Sequence, residues 1–144
     1  MDGPAAAPRA YPTDLEAVLD RLARHRFRAR FHLRPPERRI AQTRGLPVIR
    51  MHALDLLTSR LAPARPPNDG RQTPWGGHPV FRAQHATGTC CRGCLERLHG
   101  LPRGHRLTAA DLRFVTALIT AWVARELRAA AAPGPAGPDH LPGL

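Results

Sequence analysis

The sequence predicts a small, mostly α domain with a long central loop and at most a short strand pair. Three observations carry that expectation. Apolar residues recur at helical spacing over 14–25 and 109–131, each time behind a threonine that reads as a cap. Proline and glycine punctuate the chain so as to bracket shorter helices in between. Only Phe27 to Leu33 alternates with a period of two, and an isolated strand needs a partner that the rest of the chain does not offer.

Residues 1–12 and 132–144 are rich in Pro, Gly and Ala without periodic apolar positions, so both are expected to be disordered tails around a single helical domain, 13–131. Thr13-Asp14-Leu15-Glu16 reads as a capping box opening a helix over 14–25, with Leu15, Val18, Leu19 and Leu22 on its buried face. Phe27, Ala29, Phe31 and Leu33 then alternate with Arg28, Arg30 and His32, the pattern of a short strand or of an extended segment lying on the helices. Pro35-Pro36 and Gly45 bracket a helix over 36–44. Pro47 starts another, burying Met51, Leu54, Leu57 and Leu61 before Pro63 stops it. On that helix His52 and Asp55, three apart, read as a solvated or capping pair rather than a site.

The loop over 63–79 contains Asn68-Asp69-Gly70, which is turn chemistry, and Trp75 argues that so long a loop is ordered. Val80 to Ala86 fits two helical turns. Thr89 is placed to cap a helix over 90–99 with Cys91, Cys94, Leu95 and Leu98 on one face. Gly100 ends it, and GLPRGHRLT leads on; this stretch lacks the second glycine of a DNA-binding hairpin turn and reads as a plain connector. Thr108 then caps the helix over 109–131, whose apolar face runs through Leu112, Val115, Leu118, Ile119, Trp122, Val123 and Leu127.

The net charge is +11, from 22 basic against 11 acidic residues, which favours a polyanionic partner. Every one of the basic residues is Arg, and with the abundance of Ala, Gly and Pro this is the composition of a GC-rich genome, so single arginines weigh little. The densest run lies around Arg24 to Arg39. Arg28, Arg30, Arg38 and Arg39 are the residues expected to meet nucleic acid there, against the plainer reading of a solvated face. The start lacks a basic n-region, and no apolar run reaches a membrane span or a signal-peptide core, so the expected location is cytoplasmic, away from membranes. Thiols stay reduced there, and three cysteines, two adjacent, do not make a disulfide framework.

Those cysteines sit in His85-x4-Cys90-Cys91-x2-Cys94-x4-His99, five metal-competent side chains within fifteen residues. Zinc takes four N or S ligands in a tetrahedron, and Cys-x2-Cys is a common source of two. The expected set is Cys91 and Cys94 with two of His85, Cys90 and His99, and His78 stands in reserve. Buried packing cysteines are the plain alternative, because free Cys is among the most buried residue types. An enzymatic alternative makes the central loop an active site. Cys91 would be a thiolate with His85 as base and Asp69 and Gln84 orienting groups, or a metal-bound water would act with Asp69 or Glu96 as general base.

NDGRQTP, GHPVFRAQHAT and CCRGCLERLHGLPRG resemble the bacterial family catalogued as domain of unknown function 4186. The similarity runs from about Phe27 to Leu127. It departs at Leu98, where the family has a Trp before the His, a change in packing more than in ligation. The resemblance implies a small cytoplasmic bacterial protein and supplies no activity.

Overall fold

The computed structural model describes residues 9–131, and the regular elements among them are all helical. The helices are α1 (Leu15–Ala23), α2 (Pro35–Arg44), α3 (Leu46–Arg60), α4 (Pro79–Thr87), α5 (Arg92–His99) and α6 (Ala109–Ala131), with no strand among the described residues. The longest, α6, is the centre of the packing: α1, α2, α3 and α4 all lie against it. Its Val115, Leu118, Ile119 and Val123 are fully buried. Each such side chain contributes roughly 1.5–3 kcal/mol on leaving water. None of the helices is long and apolar enough to cross a membrane.

The two threonine cap expectations come out differently. Thr108 and Asp111 form the reciprocal cap of α6, hydroxyl to Asp111 amide at 3.0 Å and carboxylate to Thr108 amide at 2.9 Å. At α1 the cap is Asp14 rather than Thr13, its carboxylate accepting the Ala17 amide at 3.0 Å. A carboxylate there also offsets the positive end of the helix dipole. Residues 9–12, expected in the tail, strap the start of α6. Tyr11 stacks on Phe114 at 5.4 Å and hydrogen-bonds the fully buried Asp111, which Arg9 meets at 3.2 Å. The rest of the expected tails, 1–8 and 132–144, lies outside the described residues.

The expected strand is absent. Arg28–Arg30 form one 3-10 turn, and the chain becomes extended only at Phe31. Phe27 and Phe31 meet edge-on at 5.2 Å. With no second strand to complete a ladder, the local i→i+3 hydrogen bond prevails. Arg28 and Phe31 therefore turn inward together, while Phe27 and Arg30 stay exposed. On α3 the buried row is Ile49, Ala53 and Leu57, continued by Leu61; Met51 and Leu54 remain in solvent. The spacing of four, with small Ala53 in the middle, is the row that ridges-into-grooves packing uses. Between α2 and α3 the chain needs a positive φ, which Gly45 supplies at 84°.

Two buried arginines hold the loops. Glu37 of α2 takes Arg82 of α4 in a two-point pair at 2.9 and 2.8 Å and also accepts the Gly77 amide at 2.8 Å, so the loop entering α4 is fixed to both helices. Arg92, fully buried, donates to the carbonyls of Pro63 (2.7 Å), Pro102 (2.9 Å) and His105 (2.7 Å). The connector after α5 thus turns carbonyls inward to a cation.

Candidate metal centre

The three cysteines lie at the corner between α4 and α5. Gly88 ends α4 in the left-handed region, φ 69°. Thr89 then folds back onto Gln84, amide to carbonyl at 2.8 Å and carbonyl to side-chain amide at 3.0 Å. It is therefore locked in the corner and is not the helix cap. Cys91 takes that place in an extended conformation, its sulfur accepting the Cys94 amide at 3.4 Å. An extended cap followed at once by a helical turn brings Cys94 back beside Cys90 and Cys91. The three sulfurs all lie within 4.8 Å of one another, Cys90 to Cys94 at 3.7 Å. Cys90 and Cys94 are buried and Cys91 is half-buried.

Hydrogen-bond donors converge on Cys94. Its sulfur accepts hydrogen bonds from Arg28 at 3.2 Å and Arg97 at 3.5 Å as well as the Cys90 thiol. The Cys90 donor first, then the Cys91 thiol and the Arg28 charge, hold the Cys94 thiol well below its ordinary range against the opposing effect of burial. The same bond pushes Cys90 up, with burial adding to it, and burial pushes Cys91 up. The depressed thiol is thus Cys94 and not Cys91, the expected nucleophile. The physical reason is that Cys94 collects the donors, whereas Cys91 receives only the backbone of its own turn.

A cavity of about 570 Å³ opens beside the sulfurs, walled by Arg28, Arg71, Thr73, Trp75 and His85. The His85 ring is buried, runs nearly parallel to Trp75 at 4.4 Å and to Phe31 at 5.4 Å, and donates from Nε2 to the carbonyls of Thr73 (3.2 Å) and Pro74 (3.1 Å). Burial lowers its pKa, against the opposing effect of the two carbonyl hydrogen bonds. Its Nδ1, also buried, has no hydrogen-bond partner among the described residues. Thr73 in turn donates to the Cys90 carbonyl at 2.8 Å, so the loop is tied to the cysteine corner.

Other expected site residues are elsewhere. His99 donates to the Thr87 carbonyl at 2.7 Å and meets Phe114 edge-on, pinning the end of α5 outside the sulfur group. Asp69 is exposed and turned to the start of α5, 3.4 Å from the Arg92 amide, with Gln72 at 3.3 Å. Glu96 is exposed and accepts the Arg103 amide. Gln84 is spent on Thr89. His78 caps α4 by accepting the Val80 amide and pairs with His52 at 3.3 Å, so His52 has a partner other than Asp55. Of the arginines expected to meet nucleic acid, Arg30 and Arg39 are exposed, Arg38 is half-buried, and Arg28 is withdrawn from that face into the cysteine site.

Sequence reasoning placed Arg28 on the expected nucleic-acid face and missed its contact with the cysteines. The signal was present in the i, i+3 and i, i+4 spacing of Arg28 and Phe27 to Phe31, which fits a helical turn as well as alternation fits a strand. Among known families, the one described as domain of unknown function matches residues 16–124. No solved structure matches this chain.

Proposed function

Because the chain belongs to the family of domain of unknown function 4186, whose description assigns no activity, we propose from its geometry that it is a metal protein. Cys90, Cys91 and Cys94 would hold a zinc ion on the wall of the cavity that Trp75 also lines. The observation that carries the reading is the sulfur triangle. A tetrahedral zinc–thiolate site with Zn–S near 2.3 Å has sulfurs about 3.8 Å apart; Cys90 and Cys94 stand at 3.7 Å.

The surroundings suit that ion. Three thiolates on a divalent cation leave one negative charge, and the buried guanidinium of Arg28 offsets it. Donors to ligand sulfurs orient them and tune the metal, which is the place Arg28 and Arg97 occupy. Thiolates favour soft or borderline ions, and tetrahedral demand favours zinc among them. With three thiolates from the chain and a cavity beside them, zinc held there would supply Lewis-acid polarisation of an incoming ligand.

Cobalt(II) titration tests this, because tetrahedral thiolate coordination gives a distinct visible spectrum. Saturation at one equivalent, lost in Cys90→Ser and Cys94→Ser but kept in His85→Ala, is the expected result. Loss of the spectrum in His85→Ala would mean a closed four-ligand site. No thiolate–cobalt spectrum in the unsubstituted chain would leave the cysteines as packing residues.

A further inference from the structure

We propose that the cavity beside the cysteines takes a nucleoside phosphate, its base stacked on Trp75 and its phosphate on Arg71. The site is built for a flat ring. Trp75 is 51% exposed although one face of its indole lies on His85 at 4.4 Å. Phe27, 44% exposed, meets Trp75 edge-on at 6.3 Å and carries Arg28 over its own ring at 4.9 Å. Half-exposed aromatics at a cavity mouth lose little entropy on stacking a base and gain the contact area.

Charge then selects among flat ligands. The cavity wall contains Arg28 and Arg71 and no carboxylate. Arg28 is committed to the sulfurs and the His85 carbonyl. Arg71 is exposed, and its guanidinium has no acidic partner among the described residues. A free fork of donors beside a stacking surface fits a phosphate group with two-point geometry. The volume of about 570 Å³ lies in the range that encloses ligands of this size, roughly 300–1,000 Å³.

The contacts named are all side chains, so the proposal shares its cavity with the zinc reading without needing the ion. Calorimetric titration of the full chain with AMP, adenosine and inorganic phosphate tests it, run both zinc-loaded and chelated. Expected is saturable AMP binding, about tenfold tighter than adenosine, the worth of one charge-assisted hydrogen bond. Arg71→Gln should bring AMP to the level of adenosine and leave adenosine unchanged, and Trp75→Leu should weaken both. Both residues lie at the surface, and unchanged melting curves check that the variants fold. A 5′-phosphorylated tetranucleotide binding more tightly than AMP would assign the site to a strand end, and weaker binding to a free nucleotide. Absent AMP binding in zinc-loaded protein, or affinity indifferent to Arg71, overturns the proposal while the metal stands. AMP binding in a chain that takes up no zinc overturns the metal reading alone.

Discussion

Arg28 and Cys94, 66 positions apart, meet guanidinium to sulfur at 3.2 Å inside the fold. The same guanidinium donates to the His85 carbonyl at 2.8 Å and reaches Cys90 at 3.8 Å. One side chain therefore joins the turn after α1 to both helices of the cysteine corner. Arg28→Met removes the donors and leaves a buried carbonyl and a thiolate without them. It should destabilise the chain by about 2–4 kcal/mol and weaken zinc by about 10–100-fold. Urea unfolding and competition with a chelating dye measure the two effects. Retained zinc affinity would remove Arg28 from the centre.

The Glu37–Arg82 pair is buried on both sides, 3% and 4% exposed. Burial alone would raise the Glu37 pKa; the Arg82 bond and the Arg34 and Gly77 amides outweigh it and hold it low. Arg82→Met should cost about 3–5 kcal/mol by stranding the carboxylate. Adding Glu37→Gln should restore part of that loss in denaturant melts. Gly76→Ala should act on the same pair, because its Cβ would stand 2.8 Å from Arg82 Cζ and 2.9 Å from Glu37 Oε2. Additive losses in the double variant would show that the pair is not coupled.

Tyr11→Phe leaves the stacking on Phe114 and removes one donor from buried Asp111. A loss of about 1 kcal/mol is expected, or about 4 °C in a domain whose size lies between the 60–100 and the 150–250-residue classes. Truncation before Thr13 should cost more, since it also removes Arg9. An unchanged melting temperature after that truncation would return residues 9–12 to the status of a tail.

Acid should loosen the start of α4. His78 accepts the Val80 amide at Nδ1, so in this hydrogen-bond network Nε2 carries the hydrogen and donates to His52 Nδ1. Burial, then the His52 charge, depress its pKa below 6.5, while Glu37 opposes them. A depressed folded pKa means that the unfolded chain binds the proton first. The contribution is fully present above the unfolded value of 6.5 and is lost as pH falls through the lower folded one. His78→Asn keeps a capping side chain without the titration. Denaturant melts between pH 7.5 and 5 should slope less in that variant than in the unsubstituted chain, and equal slopes would contradict the assignment.

The helices were legible where caps and periodicity agree. The α6 bounds and Gly45 and Gly100 as stops follow from local chemistry. Leu57 and Leu61 also fall as expected, but Met51 and Leu54 do not, because a 3.6-residue period leaves two adjacent stripes to choose between and the partner helix decides. In the site, spacing paired Cys91 with Cys94 and left Cys90 as one of three candidates to join them, whereas the fold brings all three sulfurs together. Spacing could not separate His85, which lines the cavity, from His99, which faces Thr87. Nor does spacing show that Arg28 points inward, since its partners are at 85, 90 and 94. Long-range contacts of that kind belong to the fold rather than to any window of sequence.

The zinc content of the full chain, purified from cells under reducing conditions, tests the central claim most directly. One zinc per chain is expected, falling to trace in Cys90→Ser and in Cys94→Ser, with the melting temperature falling alongside as bound metal and folding are coupled. Protein that is folded, reduced and metal-free, and whose melting temperature does not move when zinc is supplied, would contradict it.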